Sequence, residues 1–141
     1  MTGSLRSFII VALCAACGCG GGGGGSSEQS ATFIVQVNDE QFLVKIDQPE
    51  QVRTARLLLS GQLSHRIIVG DVVPGSGGYN RNPKTDLEWG WNLEPSSVQF
   101  SEYTIELCDG TPSYLDAHLD EWVSVVKTYC PWTGEVVAEV D

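Results

Sequence analysis

Residues 89–108 constrain the fold more than any other stretch, because they hold two of the four tryptophans and the strongest strand pattern. Over residues 98–107 apolar side chains alternate with polar ones, apart from one loss of phase at Ser101 and Glu102. Alternation is typical of a strand with one buried face, and a loss of phase is typical of a β-bulge. We therefore expect a long, bulged core strand over residues 98–107. Its apolar residues after the bulge are Tyr103, Ile105 and Leu107.

The N-terminal segment has the pattern of an export signal. One basic side chain precedes an apolar run over residues 8–13, and small residues follow before a cysteine. Such a segment is too short to remain as a membrane-spanning helix. We expect residues 1–17 to be a signal peptide whose end resembles a bacterial lipobox. Cys17, which follows two alanines, is the expected lipidation site, and Cys19 is the alternative.

A Gly/Ser-rich stretch follows the expected lipidation site. Residues 18–30 include six consecutive glycines, a composition that behaves as a flexible coil without a core. We expect this stretch to tether a folded domain over residues 31–141. The protein is then exported, either anchored by lipid in the cell envelope or extracellular.

The charge of the chain excludes several kinds of partner. Acidic residues outnumber basic ones by 18 to 8. Phosphate binding requires a basic surface, so nucleic acid is not an expected partner. Electrostatic adhesion to an anionic membrane is disfavoured for the same reason. Membrane contact is expected only through the lipid anchor.

The cysteine count predicts one disulfide. Of five cysteines, three lie in the N-terminal segment, which leaves Cys108 and Cys130 in the folded part. Paired cysteines are typical of small exported domains. We expect a bridge between Cys108 and Cys130, with two buried free thiols as the alternative.

The first elements are predicted by local patterns. Two alternating runs flank Asn38-Asp39, a dipeptide suited to a two-residue hairpin turn. That turn length pairs Val35 with Phe42 and Phe33 with Val44, so that both strands present their apolar side chains to one side. A helix over residues 48–60, with Asp47 as its N-cap, is expected next.

The rest of the chain completes an α+β pattern. A strand is expected over residues 65–73 with a second bulge at Gly70, followed by a structureless loop over residues 74–87. Thr111 is the expected cap of a helix that runs from Pro112 to about Lys127. A last strand contains Val136, Ala138 and Val140. The fold class is therefore α+β: a single small domain with a mainly antiparallel sheet, two helices and one disulfide.

Few residues suggest catalysis. The chain has two histidines, His65 and His118, and no recognisable nucleophile motif accompanies them. His118 lies between two aspartates that are each two positions away, so the three cannot converge on a metal. We expect no catalytic residues, no cofactor and no metal. A carboxylate-based hydrolase that uses Glu88 or Glu94 with His65 is the enzymatic alternative.

The segment over residues 74–95 is the expected binding face. A Gly- and Asn-rich loop adjoins two tryptophans, which could form a platform for an unidentified protein, peptide or glycan ligand. The alternative is that both tryptophans pack in the core, since they share strand parity. A secreted protease inhibitor that presents residues 74–87 is a further alternative. The candidate binding residues are Tyr79, Asn80, Asn82, Trp89, Trp91 and Asn92.

Four motifs support a family resemblance. The motifs that carry the resemblance are Trp89-Gly-Trp-Asn-Leu-Glu-Pro, Val98-Gln-Phe-Ser-Glu, Ile105-Glu-Leu-Cys-Asp-Gly-Thr-Pro-Ser-Tyr and Tyr129-Cys-Pro-Trp. The chain resembles a family of small, mostly secreted domains that includes slime-mould-type calmodulin-binding proteins. The resemblance covers residues 32–140 and implies a fold far more firmly than an activity, because it offers no established catalytic residues to carry over. Calmodulin is not an expected partner, because its usual target is a basic amphipathic helix. The helix expected around Asp116 is acidic, and an exported protein does not meet a cytosolic sensor.

Overall fold

The computed structural model describes residues 29–141, which begin with the expected hairpin. Strands β1 (Ala31–Val37) and β2 (Glu40–Ile46) are antiparallel and are joined by Asn38 and Asp39. Val35 lies opposite Phe42 and Phe33 opposite Val44, which confirms the predicted register. The signal peptide, Cys17, Cys19 and most of the tether lie outside the described residues.

The first sheet has three strands and carries a helix. The C-terminal strand β9 (Glu135–Val140) pairs with β1, giving the order β2-β1-β9. Helix α1 (Pro49–Leu59) confirms the predicted helix and buries Val52 and Ala55. The Asp47 cap is wrong: the N-cap is Gln48, whose side chain makes no capping hydrogen bond. Pro49 begins the helix instead, with its φ already set and no N–H to satisfy.

The second sheet is built on one long strand with three short partners. Strand β3 (Ile67–Pro74) pairs antiparallel with β6 (Trp91–Leu93), β7 (Gln99–Ser101) and β8 (Thr128–Tyr129). Gly70, where a second bulge was expected, lies opposite Tyr129 of β8, and no shift of register is found in this pairing. A Cβ at Gly70 would lie 3.0 Å from a methyl of Leu93, so glycine lets the neighbouring side chain pack closely.

The segment after β3 differs from the expected structureless loop. It contains a small hairpin of β4 (Arg81–Asn82) and β5 (Leu87–Glu88). The backbone N–H of Asp86 donates to the Asn82 carbonyl at 2.8 Å and closes the turn. Asp86 has a φ of 59°, a conformation that aspartate tolerates better than most residues.

The C-terminal helical region starts as predicted and is then interrupted. Helix α2 (Pro112–Ala117) is capped by the Thr111 hydroxyl, which accepts from the Tyr114 N–H at 3.2 Å. The helix is interrupted at His118. It is followed by α3 (Leu119–Glu121) and a π-helical turn (Trp122–Val126). Lys127, at a φ of 71°, ends this turn and directs the chain into β8. The expected single helix is therefore two short helices and a wider last turn.

Aromatic side chains join the two sheets. The Tyr129 ring lies 5.7 Å from Phe42, 5.3 Å from Trp91 and 6.4 Å from Trp122, measured between ring centroids. Its hydroxyl donates to the Gly110 carbonyl at 2.8 Å. Cys108 and Cys130 form the predicted disulfide, with their Cα atoms 5.1 Å apart. The predicted α+β class, a small domain with mainly antiparallel sheets and one disulfide, is confirmed.

Burial raises the pKa of the Tyr129 phenol well above its ordinary value, with smaller contributions from the carboxylates of Asp109 and Glu40. The unfolded chain ionises this phenol near pH 10 while the folded chain keeps it neutral, so stability falls as the pH rises above about 10. In Tyr129→Phe we expect the free energy of unfolding to fall less steeply as the pH rises above about 10. At neutral pH we expect stability to be lower by about 1–2 kcal/mol, because the Gly110 carbonyl loses its donor. Urea unfolding at a series of pH values measures both effects.

Tyr103→Phe is the matched control, because Tyr103 is exposed and its hydroxyl bonds to no described residue. It should follow the wild-type protein at every pH. If the free energy of unfolding falls equally steeply at alkaline pH in Tyr129→Phe and in the wild type, Tyr129 is not the source of the alkaline loss of stability.

Candidate functional site

Asn80 is one of the predicted binding residues, and the structure buries it between two strands. Its side-chain oxygen accepts from the Leu43 backbone N–H of β2 at 2.9 Å. Its side-chain nitrogen donates to the Trp91 carbonyl of β6 at 2.7 Å. The two hydrogen bonds use one acceptor and one donor of a single amide, and they tie the edges of the two sheets together.

The two tryptophans of this segment are core residues. Trp89 is 2% exposed and Trp91 is fully buried, so neither forms an exposed platform. Their ring centroids are 6.4 Å apart, in agreement with their shared strand parity. The Trp89 indole N–H donates to the Gln41 carbonyl at 2.9 Å. Trp91 packs against Phe42 at 5.3 Å between ring centroids.

The remaining predicted residues hold the loop in place. The Asn92 amide donates to the Gly75 carbonyl at 2.7 Å, and the Tyr79 hydroxyl donates to the Leu93 carbonyl at 3.3 Å. Burial raises the pKa of the Tyr79 phenol. Asn82 is buried and accepts from the Lys84 N–H at 3.0 Å. The structure thus links five of the six predicted residues by contacts within the domain, and Asn82 is bonded within its own turn; a ligand at this face stays a prediction.

A different segment exposes large apolar side chains. The expected core strand over residues 98–107 is wrong beyond Ser101, where β7 ends and the chain leaves the sheet. Tyr103 is 84% exposed, Ile105 66% and Leu107 61%. Residues 102–107, hereafter the apolar segment, end in a single 3-10 turn over Glu106–Cys108. The three alternating residues that were expected to be buried are therefore exposed to solvent.

The apolar segment is held at both ends. At its start, Glu102 forms an ion pair with Arg66 of 2.7 Å. At its end, Cys108 is bonded to Cys130 and its carbonyl accepts from the Cys130 N–H at 2.8 Å. The Ile105 carbonyl lies 3.4 and 3.5 Å from the two disulfide sulfurs, which carry no proton and so only pack against it.

The backbone of Tyr103 is occupied by a neighbouring hydroxyl. The Tyr103 N–H donates to the Ser101 Oγ at 3.3 Å, and the same hydroxyl donates to the Tyr103 carbonyl at 2.6 Å. Both backbone groups are therefore used within the chain. A partner at this position has the tyrosine side chain to contact, and an added β-strand would have to displace the Ser101 hydroxyl from the Tyr103 N–H.

His65 is the histidine proposed to act with Glu88 or Glu94 in hydrolysis. Its Nε2 is 3.2 Å from the Trp132 carbonyl, and it lines a cavity of about 190 Å³ that also includes Leu58 and Glu135. That volume is below the ~300–1,000 Å³ of small-molecule sites. No hydrogen bond or ion pair joins His65 to Glu88 or Glu94 in the described part of the chain.

Residues 29–141 contain no group of three or more His, Cys, Asp or Glu side chains arranged to hold a metal ion. The same residues include no helix of the length and apolarity that crossing a membrane requires.

Fold and site together define the class of protein: a small, disulfide-bonded α+β domain with a fixed apolar segment on its surface. A family model described as the BP-74 N-terminal domain matches residues 28–141, and the chain belongs to that family. The match supports the resemblance drawn from the motifs at the level of this domain, and it does not extend to calmodulin binding. No curated protein and no solved structure matches the chain.

Replacing Asn80 tests whether the loop residues are structural. In Asn80→Ala, the Leu43 N–H and the Trp91 carbonyl lose their partners in a buried position. Each unsatisfied group costs about 1–3 kcal/mol, so we expect the free energy of unfolding to fall by about 2–4 kcal/mol. Urea unfolding measures this change.

Lys84→Ala, an exposed position in the same loop, is the control and should change stability by less than about 0.5 kcal/mol. Equal stability of the two variants would show that the amide bridge contributes little.

Proposed function

We propose that this protein is an exported, lipid-anchored binding module without catalytic activity, and that the apolar segment is its binding surface. The observation that carries the proposal is the exposure of Tyr103, Ile105 and Leu107 on a segment fixed at both ends. Single exposed apolar residues are ordinary, but three within five positions form a patch of the kind found at interaction sites.

The free energy available from this surface is large enough for specific binding. Transfer of one large apolar side chain from water to a packed interface is worth about 1.5–3 kcal/mol. Tyrosine is also among the residues that most often dominate interface energies. The fixed ends reduce the conformational entropy that binding would remove, so more of this gain is retained as affinity.

The site geometry favours binding over hydrolysis. A general base must lie within hydrogen-bond reach of its partner groups. His65 contacts the Trp132 carbonyl, Glu88 lies in the β4–β5 hairpin, and Glu94 accepts from the Ser96 hydroxyl at 3.2 Å. These contacts support a non-enzymatic role. Turnover that Glu88→Gln abolishes would favour the hydrolase instead.

Protease inhibition is the second candidate function. The exposed apolar segment beside a disulfide is a better candidate inhibitory loop than residues 74–87. Buried asparagines hold residues 74–87 against the domain by hydrogen bonds. Inhibitors that bind like substrates present free backbone groups to the enzyme, whereas those of Tyr103 are bonded to Ser101. Binding through side chains is therefore the better supported candidate.

Export and lipid anchoring rest on the sequence of residues 1–30. The bridge between Cys108 and Cys130 supports this part of the proposal, because disulfides persist in oxidising compartments.

Intact-mass measurement of protein extracted from membranes tests the anchor. We expect a mature chain that begins at Cys17 and carries acyl mass. Cys17→Ser should release unacylated protein or leave the signal uncleaved, while Cys19→Ser should be processed normally. A mature chain that begins at Met1, or at a cysteine without acyl mass, contradicts the anchor.

Site-specific photo-cross-linking in the producing cells tests the binding surface. A photo-reactive phenylalanine analogue at position 103 should form a defined cross-linked species, because this side chain is 84% exposed on the apolar segment. The same analogue at position 125 is the control, since Val125 is 68% exposed elsewhere. Cross-linking at 103 should be lost when Ile105→Ser is added. Equal products from both positions, or none from 103, would overturn the proposed surface.

A further inference from the structure

We propose that the apolar segment binds cationic amphipathic peptides or helices. This inference rests on the proposed function and names the chemistry of its partner. It combines two observations: large apolar side chains exposed in one segment, and an excess of acidic side chains along the same stretch of chain.

The charged side chains within residues 102–111 are all acidic. Residues 102–111 contain Glu102, Glu106 and Asp109 and no lysine or arginine. Glu102 is paired with Arg66, whereas Glu106 is exposed and forms no ion pair within the described residues. The whole chain has a formal net charge of −10 at pH 7. A cationic partner is therefore attracted over about one Debye length, roughly 8 Å at physiological salt.

The apolar side chains match a helical partner in spacing. Ile105 has an extended backbone, with φ −96° and ψ 153°, and alternate residues of an extended chain are about 6.6 Å apart. On a helix, residues four apart are separated by a rise of about 6 Å. An apolar row on an amphipathic helix can thus lie against these side chains while its lysines face Glu106. Because the Tyr103 backbone is bonded to Ser101, the contact is made through side chains.

The same charges disfavour other occupants. A second copy of this chain would bring two sets of carboxylates together, and an anionic lipid surface would meet the same repulsion. Nucleic acid is excluded by its phosphates.

The test uses the full chain in phosphatidylcholine nanodiscs, with empty nanodiscs as the blank. The probe is a synthetic amphipathic helix of lysine and leucine about 20 residues long, since shorter helices are marginal in water. We expect saturable binding by fluorescence anisotropy that weakens about tenfold or more between low and high salt. A scrambled peptide of the same composition and a glutamate/leucine helix should bind at least about tenfold more weakly.

Variants locate the binding on the protein. Ile105→Ser should weaken peptide binding about tenfold, which corresponds to about 1.4 kcal/mol. Glu106→Gln should weaken it about threefold and reduce its salt dependence. Val125→Ser, at an exposed position elsewhere, is the matched control and should bind like the wild type. Unchanged thermal unfolding shows that each variant is folded.

Several outcomes would overturn the inference. Binding that Ile105→Ser leaves intact places the peptide elsewhere. Equal binding of the scrambled peptide indicates attraction by net charge alone. If the protein binds added phosphatidylcholine vesicles and Ile105→Ser abolishes that binding, the apolar segment contacts a membrane. If the protein is a dimer that Ile105→Ser dissociates, the segment contacts a second copy of the chain. If position 103 cross-links in cells but the lysine/leucine peptide does not bind, the binding surface stands and its cationic partner is rejected.

Discussion

The packing of Trp91 against Phe42 and Tyr129 is the interaction on which the rest of the structure depends. The three rings come from β6, β2 and β8, so this contact joins two sheets that share no backbone pairing. Buried aromatic rings contribute both a large apolar area and favourable ring geometry. Asn80 fixes the same junction through its two hydrogen bonds, which makes the relative position of β2 and β6 specific as well as stable.

The candidate binding surface is a consequence of how the chain leaves this core. The first residue of β3, Ile67, pairs with Ser101, so the residues after Ser101 have no strand to join. The disulfide then fixes Cys108, and the segment between crosses the surface with its apolar side chains outside. The disulfide closes the loop from Cys108 to Cys130, which stabilises the fold by about 3 kcal/mol in the chain-entropy model, comparable to the cost of leaving one large apolar side chain in water.

Local patterns predicted the elements whose geometry depends on near neighbours. The register of Val35 with Phe42, helix α1 and the Thr111 cap follow from turn length, apolar spacing and side-chain chemistry. The same rules failed at Tyr103, because a period of two indicates one common face and carries no information on whether a partner strand covers it. Local patterns also gave no sign that Asn80 is buried, since asparagine is usually exposed. Its burial depends on hydrogen-bond donors and acceptors from distant residues.

The sequence by itself determined the α+β class, the hairpin register, the disulfide and the acidic charge, since each depends on composition or on residues close along the chain. Tertiary structure alone decided which apolar residues are covered. Trp91 and Tyr103 are both aromatic residues in apparent strands, yet one is fully buried and the other is 84% exposed. The physical reason is that burial requires a matching surface from another element: β2 and β8 supply rings against Trp91, while β3 starts too late in the chain to cover Tyr103.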